Sequence, residues 1–190
     1  MKLNFVTGNA NKFAVAKSIC NLHDIDLEQL VLDIDEIQGE DPEVIIKDKA
    51  KKAFEIVGQP IVVSDDSWHF SALNGFPGAY MKSINHWFTP QDFLNLLRDK
   101  DDRSAIIIKL LAFYDGKEMI IFRKDSAGQI SHIPRGESKI PLRQVYISDH
   151  DDGLTLAELD NNGLIDSPER VKRQPEPWHD LAQWITTSLS

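Results

Sequence analysis

The stretch Lys2-Leu3-Asn4-Phe5-Val6-Thr7-Gly8-Asn9-Ala10-Asn11-Lys12 decides the fold class. Residues 2–6 read as a short strand, and from Lys12 onward Phe13, Ala16, Ile19 and Cys20 fall at the spacing of one helical face. Strand, polar loop and helix in that order open an α/β protein. Working outward, Leu30, Leu32 and Ile34 alternate as a strand does. Asp41-Pro42 then supplies a cap and a first-turn proline for a helix carrying Val44, Ala50, Ala53, Phe54 and Val57, and Gly58 ends it. Ile61-Val62-Val63 is short, β-branched and apolar, the pattern of a buried strand central in a sheet.

Farther along, Thr89-Pro90-Gln91-Asp92 starts a helix with Phe93, Leu96 and Leu97 as its stripe. Ser104 to Tyr114 and Glu118 to Arg123 flank Asp115-Gly116, a strong hairpin signal. Pro177 to Leu189 sets Trp178, Leu181, Ala182, Trp184 and Ile185 in roughly helical register, which predicts a terminal helix packed on the body. No repeat or low-complexity linker divides the chain, so residues 1–190 are expected to form one α/β domain with a mixed sheet.

A chain of 190 residues with 42% hydrophobic and 27% charged side chains buries a sizeable core rather than staying disordered. Its net charge of −9, without a long Lys/Arg run, excludes the electrostatic footprint of a nucleic-acid polymer binder. An acidic protein that handles phosphates recruits a divalent metal to screen its carboxylates from the substrate. Cys20 is the lone cysteine, so neither an internal disulfide nor a thiolate zinc cluster forms, and a reducing compartment fits. The opening residues lack the apolar length of a secretory signal. The longest apolar run, Ala105 to Tyr114, is interrupted by Lys109 and falls short of the ~18 residues of a membrane span. A cytoplasmic protein with no membrane partner is expected.

Three polar clusters each follow an expected strand: Thr7 to Lys12, Asp35-Glu36, and Asp65-Asp66-Ser67. Ligands of open α/β sheets bind beyond the carboxyl ends of the strands, so the three converge if those strands are parallel neighbours. The first loop offers a hydroxyl (Thr7), a flexible glycine (Gly8), an amide (Asn9) and Lys12 just before a helix, where free N–H groups and the helix dipole attract phosphate. It lacks Walker spacing, and an ordinary strand-to-helix turn with Asn caps fits the same residues.

Two carboxylates about 4 Å apart repel by ~1 kcal/mol in water and ~4 kcal/mol at a partly buried site, so Asp65 and Asp66 at a strand end call for a cation. Alternation along a strand turns one of them toward the crevice. A turn-forming or helix-capping pair is the other reading. Glu36 lies in the acidic stretch Asp33 to Glu43, most of which is solvated surface. The six histidines form no metal-binding pattern, which favours an oxygen-ligated hard cation over zinc. Cys20, on an apolar helical face, reads as core rather than nucleophile.

These residues together resemble the inosine triphosphate pyrophosphatase family, whose members remove non-standard purine nucleotides from the precursor pool. Thr7-Gly8-Asn9-Ala10-Asn11-Lys12 is similar to the family's phosphate-binding opening, and Asp35-Glu36-Ile37-Gln38-Gly39-Glu40 to its metal-ligand segment. Lys49-Ala50, Asp65-Asp66-Ser67, Ala72 to Tyr80 and Pro134-Arg135-Gly136 follow in order, so the agreement covers roughly residues 3–136. The resemblance implies an elongated two-lobed α/β domain with a central mixed β-sheet flanked by helices, a substrate cleft between the lobes, and a homodimer. It implies Mg²⁺-dependent hydrolysis of nucleoside triphosphates such as ITP, dITP and XTP to monophosphate and pyrophosphate. Glu36 and Asp66 would hold magnesium with Asp65 beside them, and Asp66 would also orient or deprotonate the attacking water. Thr7, Gly8, Asn9 and Lys12 would hold phosphates, with Lys49, Ser67, Lys82 and Arg135 as further substrate contacts. Lys12 would stabilise the leaving pyrophosphate.

After Gly136 the match fails. Glu137 to Leu142 and Ser167-Pro168-Glu169-Arg170 stand where the family carries Gly-Phe/Trp-Asp-Pro and Ser-His-Arg, its base-recognition elements. Retained hydrolysis with a changed or relaxed base preference is expected, with Arg143, Arg170 or Arg173 as replacements for the missing arginine. Two other readings stand beside it: a nucleotide-binding protein without turnover, and a housekeeping pyrophosphatase acting on modified pyrimidine nucleotides.

Overall fold

In the computed structural model, which describes residues 2–188, the elements in chain order are β1 (Lys2–Val6), α1 (Ala10–Asn21), β2 (Asp26–Leu30), α2 (Pro42–Val57), β3 (Ile61–Phe70), β4 (Pro77–Gly78), α3 (Met81–Trp87), α4 (Pro90–Leu96), β5 (Ser104–Tyr114), β6 (Met119–Ile130), β7 (Tyr146–Ser148), α5 (Leu156–Asn161), α6 (Pro168–Arg173) and α7 (Pro177–Ser188), with 3₁₀ turns at Ser71–Leu73 and Pro141–Gln144. Hydrogen-bonded neighbours run β2-β1-β3-β5-β6-β7, and β4 pairs with β3. β1 is parallel to both β2 and β3, whereas β3–β4 and β6–β7 are antiparallel. The mixed α/β sheet expected from the sequence is therefore present, and the first three strands are parallel neighbours as the convergence argument requires.

One compact unit comprises residues 2–66, Lys109–Lys124 and the segment from Pro175. Its core is the run Ile61-Val62-Val63 with Leu3, Phe5 and Val6, all nearly or fully buried. Ala16, Ile19 and Cys20 of α1 and Ile45, Ile46, Ala50 and Ala53 of α2 are also buried. Phe5 meets Trp178 of α7 edge to face, centroids 4.8 Å apart, a contact that adds about 1 kcal/mol to the burial itself. Asp41 caps α2 by accepting from the Glu43 amide, Pro42 fills its first turn, and Gly58 closes it at φ 67°.

Three details depart from expectation. β2 ends at Leu30 because its partner β1 ends at Val6, opposite Leu30; beyond it Val31 is exposed and residues 31–40 are irregular, so Leu32 and Ile34 are not strand residues. Val44 is exposed, since the adjacent Ile45 and Ile46 claim the buried face of α2. The hairpin forms where expected, but β6 continues past Arg123 to Ile130. Its Asp115 side chain accepts from the amides of Lys117 and Glu118. A Cβ on Gly116 (φ 93°) would come within 2.4 Å of the Phe54 ring, so glycine is required there. The terminal helix is present to Ser188, and Leu189 lies outside the described residues. Among the described residues no helix is long and apolar enough to cross a membrane.

The second unit comprises Ser67–Ile108 and Asp125–Gln174. Phe70, Phe93, Leu97, Ile107, Leu142 and Tyr146 anchor its core. The expected start of α4 is a full capping box between Thr89 and Asp92. Asp151, wholly buried, accepts from Arg170 Nε (2.8 Å) and Nη2 (3.0 Å) and from Gln174 Nε2 (2.6 Å), fastening α6 to the turn after β7.

Candidate active site

The parallel register of β1 and β3 ends at Val6↔Val63. Beyond that point β1 turns into the Thr7 loop, while β3 continues with Ser64, Asp65 and Asp66 and later pairs with β4 at Trp68 and His69. The two acids therefore lie inside a strand rather than at its end, a correction to the sequence expectation. The strand persists there because Trp68 and Phe70 carry it onward into a second core.

The loop is held by its own polar groups. Thr7 N donates to Leu30 O at 2.9 Å, and the Gln29 side chain donates to Thr7 O at 3.0 Å. Asn9 N donates to Thr7 Oγ1 at 3.1 Å. Asn9 Oδ1 accepts from the amides of Asn11 (3.0 Å) and Lys12 (3.2 Å), which makes Asn9 the cap of α1. A Cβ on Gly8 would touch only Val31, at 3.8 Å, so the glycine leaves open space over the loop.

Lys12 Nζ lies 3.0 Å from Asp66 Oδ2. Burial pulls the pKa of Lys12 down, but Asp66, Asp65 and Glu36 together outweigh it and the net shift is upward. Burial likewise pushes the Asp65 carboxyl up, opposed by Lys12 and reinforced by Asp66. Lys49 Nζ, from α2, lies 2.6 Å from Glu36 Oε1 and donates to Ser64 O at 3.3 Å. Four segments far apart in sequence thus share one electrostatic neighbourhood in which three carboxylates face two ammoniums.

Thr7, Gly8, Asn9, Lys12, Glu36, Lys49, Asp65 and Asp66 all belong to the first unit; Ser67, Lys82 and Arg135 belong to the second. Ser67 is buried with its hydroxyl 3.0 Å from His69 Nε2. Lys82 stands on the exposed side of α3. Arg135 donates to Gly153 O at 2.6 Å and pairs with Glu158 at 3.5 Å. Of the arginines weighed for a base pocket, Arg143 pairs with Asp160, Arg170 with buried Asp151, and Arg173 with exposed Asp152. Sequence reasoning missed Lys52, whose Nζ donates to Asp35 O at 2.7 Å, and His69. Lys52 sits one turn beyond Lys49, a signal readable only once Glu36 is known to pack there.

The donors at Glu36, Asp65 and Asp66 are carboxylate oxygens, the chemistry of a hard divalent cation. Among the described residues no three His, Cys, Asp or Glu side chains gather closely enough to hold a metal ion by themselves. A small hard cation that takes one or two protein carboxylates and completes its shell with water and phosphate oxygens fits this set.

Lysines and carboxylates gather where the parallel pairing of β1 with β2 and β3 ends, the side on which open α/β sheets bind ligands. The chain belongs to the Ham1 family, whose model matches residues 3–164 and so runs past Gly136, where the motif agreement stops. It is 29% identical over 191 residues to the dITP/XTP pyrophosphatase of Methanopyrus kandleri, covering 100% of this chain and 99% of that protein. It is 34% identical over 190 residues to the inosine triphosphate pyrophosphatase of Aspergillus fumigatus, covering 97% and 95%. The structure of a HAM1 protein from Coxiella burnetii shares the fold with a TM-score of 0.74 at 22% identity, over 98% of this chain and 99% of that one.

Proposed function

We propose that this chain hydrolyses nucleoside triphosphates to the monophosphate and pyrophosphate, acting on non-standard purine nucleotides such as ITP, dITP and XTP with Mg²⁺ bound. The observation that carries the reading is the contact of Lys12 with Asp66 at 3.0 Å, within reach of Asp65 and Glu36. The names of the relatives support the same reaction. Glu36 and Asp66, with Asp65 beside them, would hold the Mg²⁺, which when bound neutralises charge on the phosphate oxygens. The Thr7-Gly8-Asn9 loop and the start of α1 receive the phosphate tail. Asp66 orients a water molecule toward the α-phosphorus and takes its proton. Lys12, kept charged by its acidic neighbours, moves from Asp66 onto the leaving pyrophosphate. Lys49, beside Glu36, is assigned to the substrate side. The whole chain acts as one catalytic domain, as a cytoplasmic homodimer.

Base selection is relaxed in this reading, because the arginines weighed for the base, Arg143, Arg170 and Arg173, each pair with a carboxylate, of Asp160, Asp151 and Asp152. The same commitment favours, as a second reading, nucleotide binding without turnover. A panel of purine and pyrimidine triphosphates with Mg²⁺, read by pyrophosphate release, separates the two. Turnover that Asp66→Asn lowers at least about a hundredfold supports hydrolysis. Orthophosphate as product, or no turnover despite a thermal stabilisation of ~2.7 kcal/mol at a hundredfold excess over Kd, overturns it.

A further inference from the structure

Residues 31–40 carry Asp35 and Glu36 without helix or strand, so side-chain bonds must set where Glu36 stands. α2 supplies them. Lys49 and Lys52, three residues apart on one helical face, reach the same dipeptide: Lys49 meets the Glu36 carboxylate at 2.6 Å, and Lys52 donates to the Asp35 carbonyl at 2.7 Å. Lys52 also pairs with Asp48 one turn earlier, at 2.8 Å, with both side chains about one-third exposed.

The two lysines differ in what they grip. Lys49 holds the carboxylate itself and has to release it when a cation takes its place. Lys52 holds the backbone from which the Glu36 side chain departs, through a short charge-assisted bond that does not involve the carboxylate. Nothing in the reaction requires Lys52 to let go.

We propose that Lys52, paired with Asp48, is a positioning residue that holds the Asp35-Glu36 peptide so that Glu36 meets the bound cation. The inference rests on Glu36 being a cation ligand, and the test separates the two. Lys52→Met keeps the apolar stem, and Lys52→Arg keeps the charge. Amide hydrogen exchange over residues 33–38 reads the clamp without any metal, and Mn²⁺ binding to the free protein, followed by water-proton relaxation, reads the site. The proposal expects Lys52→Met to speed exchange in that segment and weaken Mn²⁺ about tenfold, with an unchanged nucleotide KM at saturating Mg²⁺ and recovery in Lys52→Arg. Unchanged exchange in Lys52→Met overturns the clamp whatever Glu36 does. Faster exchange with unchanged Mn²⁺ affinity overturns the positioning role. In that case, loss of Mn²⁺ binding in Glu36→Gln leaves the ligand reading standing, and its persistence in Glu36→Gln removes that reading as well.

Discussion

Lys12→Met removes the ammonium 3.0 Å from Asp66 and keeps the apolar stem. At that separation the attraction is about 5.5 kcal/mol for an effective dielectric constant of about 20, an upper bound on the loss. Breaking a fully buried pair costs about 3–5 kcal/mol, and an exposed pair contributes about 0–1 kcal/mol. The side chains of Lys12 and Asp66 are 26% and 29% exposed, between those limits, which gives a loss of about 2 kcal/mol at pH 8 and a melting temperature lower by about 6 °C.

The loss depends on pH through Asp65. Burial sets its folded pKa above its ordinary value of 3.8, so between the two values the folded state keeps a proton that the unfolded chain has released. Stability from this group is full below 3.8 and falls as pH rises through the raised value. Without Lys12 the Asp65 pKa rises further and the fall continues to higher pH. Scanning calorimetry of both proteins should therefore show a larger deficit at pH 8 than at pH 5. An equal melting temperature at pH 8, or a deficit that grows toward pH 5, refutes the reasoning.

Asp151→Ala strands the buried Arg170 guanidinium and is expected to cost about 3–5 kcal/mol in urea unfolding; an unshifted midpoint would show the network to be dispensable. Gly136→Ala forces φ 73° on an alanine and brings its Cβ within 2.7 Å of Glu158 N, so a loss of at least about 2 kcal/mol is expected by the same measurement. Burial pushes the Cys20 thiol up to about 12, so a disulfide reagent at pH 8 should label it only after urea unfolding, and equal labelling rates in the two states contradict its placement.

The loop from Thr7 to Lys12 was readable because strand, cap and helix are written within eleven consecutive residues, and Asn9 does cap α1. The hairpin at Asp115-Gly116 and the start of α4 were equally local and came out where expected. What failed depended on partners. Leu32 and Ile34 alternate as strand residues do, yet β1 had ended and no strand was left to pair with them. Asp65-Asp66 looks like a strand's end, but β3 continues because new neighbours and a second core follow. The grip of Lys49 and Lys52 on residues 35–36 spans 13 to 17 positions and leaves no periodic trace in the sequence.

Two ammonium–carboxylate contacts, Lys12 with Asp66 and Lys49 with Glu36, close this edge of the sheet upon itself. A lone orthophosphate that drew Lys12 away would leave Asp66 bare, and a lone dication that took Glu36 would leave Lys49 bare. Only a visitor bringing both signs, an anion escorted by its counterion, lets every group change partner at once. On the proposed reading such an edge favours the matched pair over either half alone.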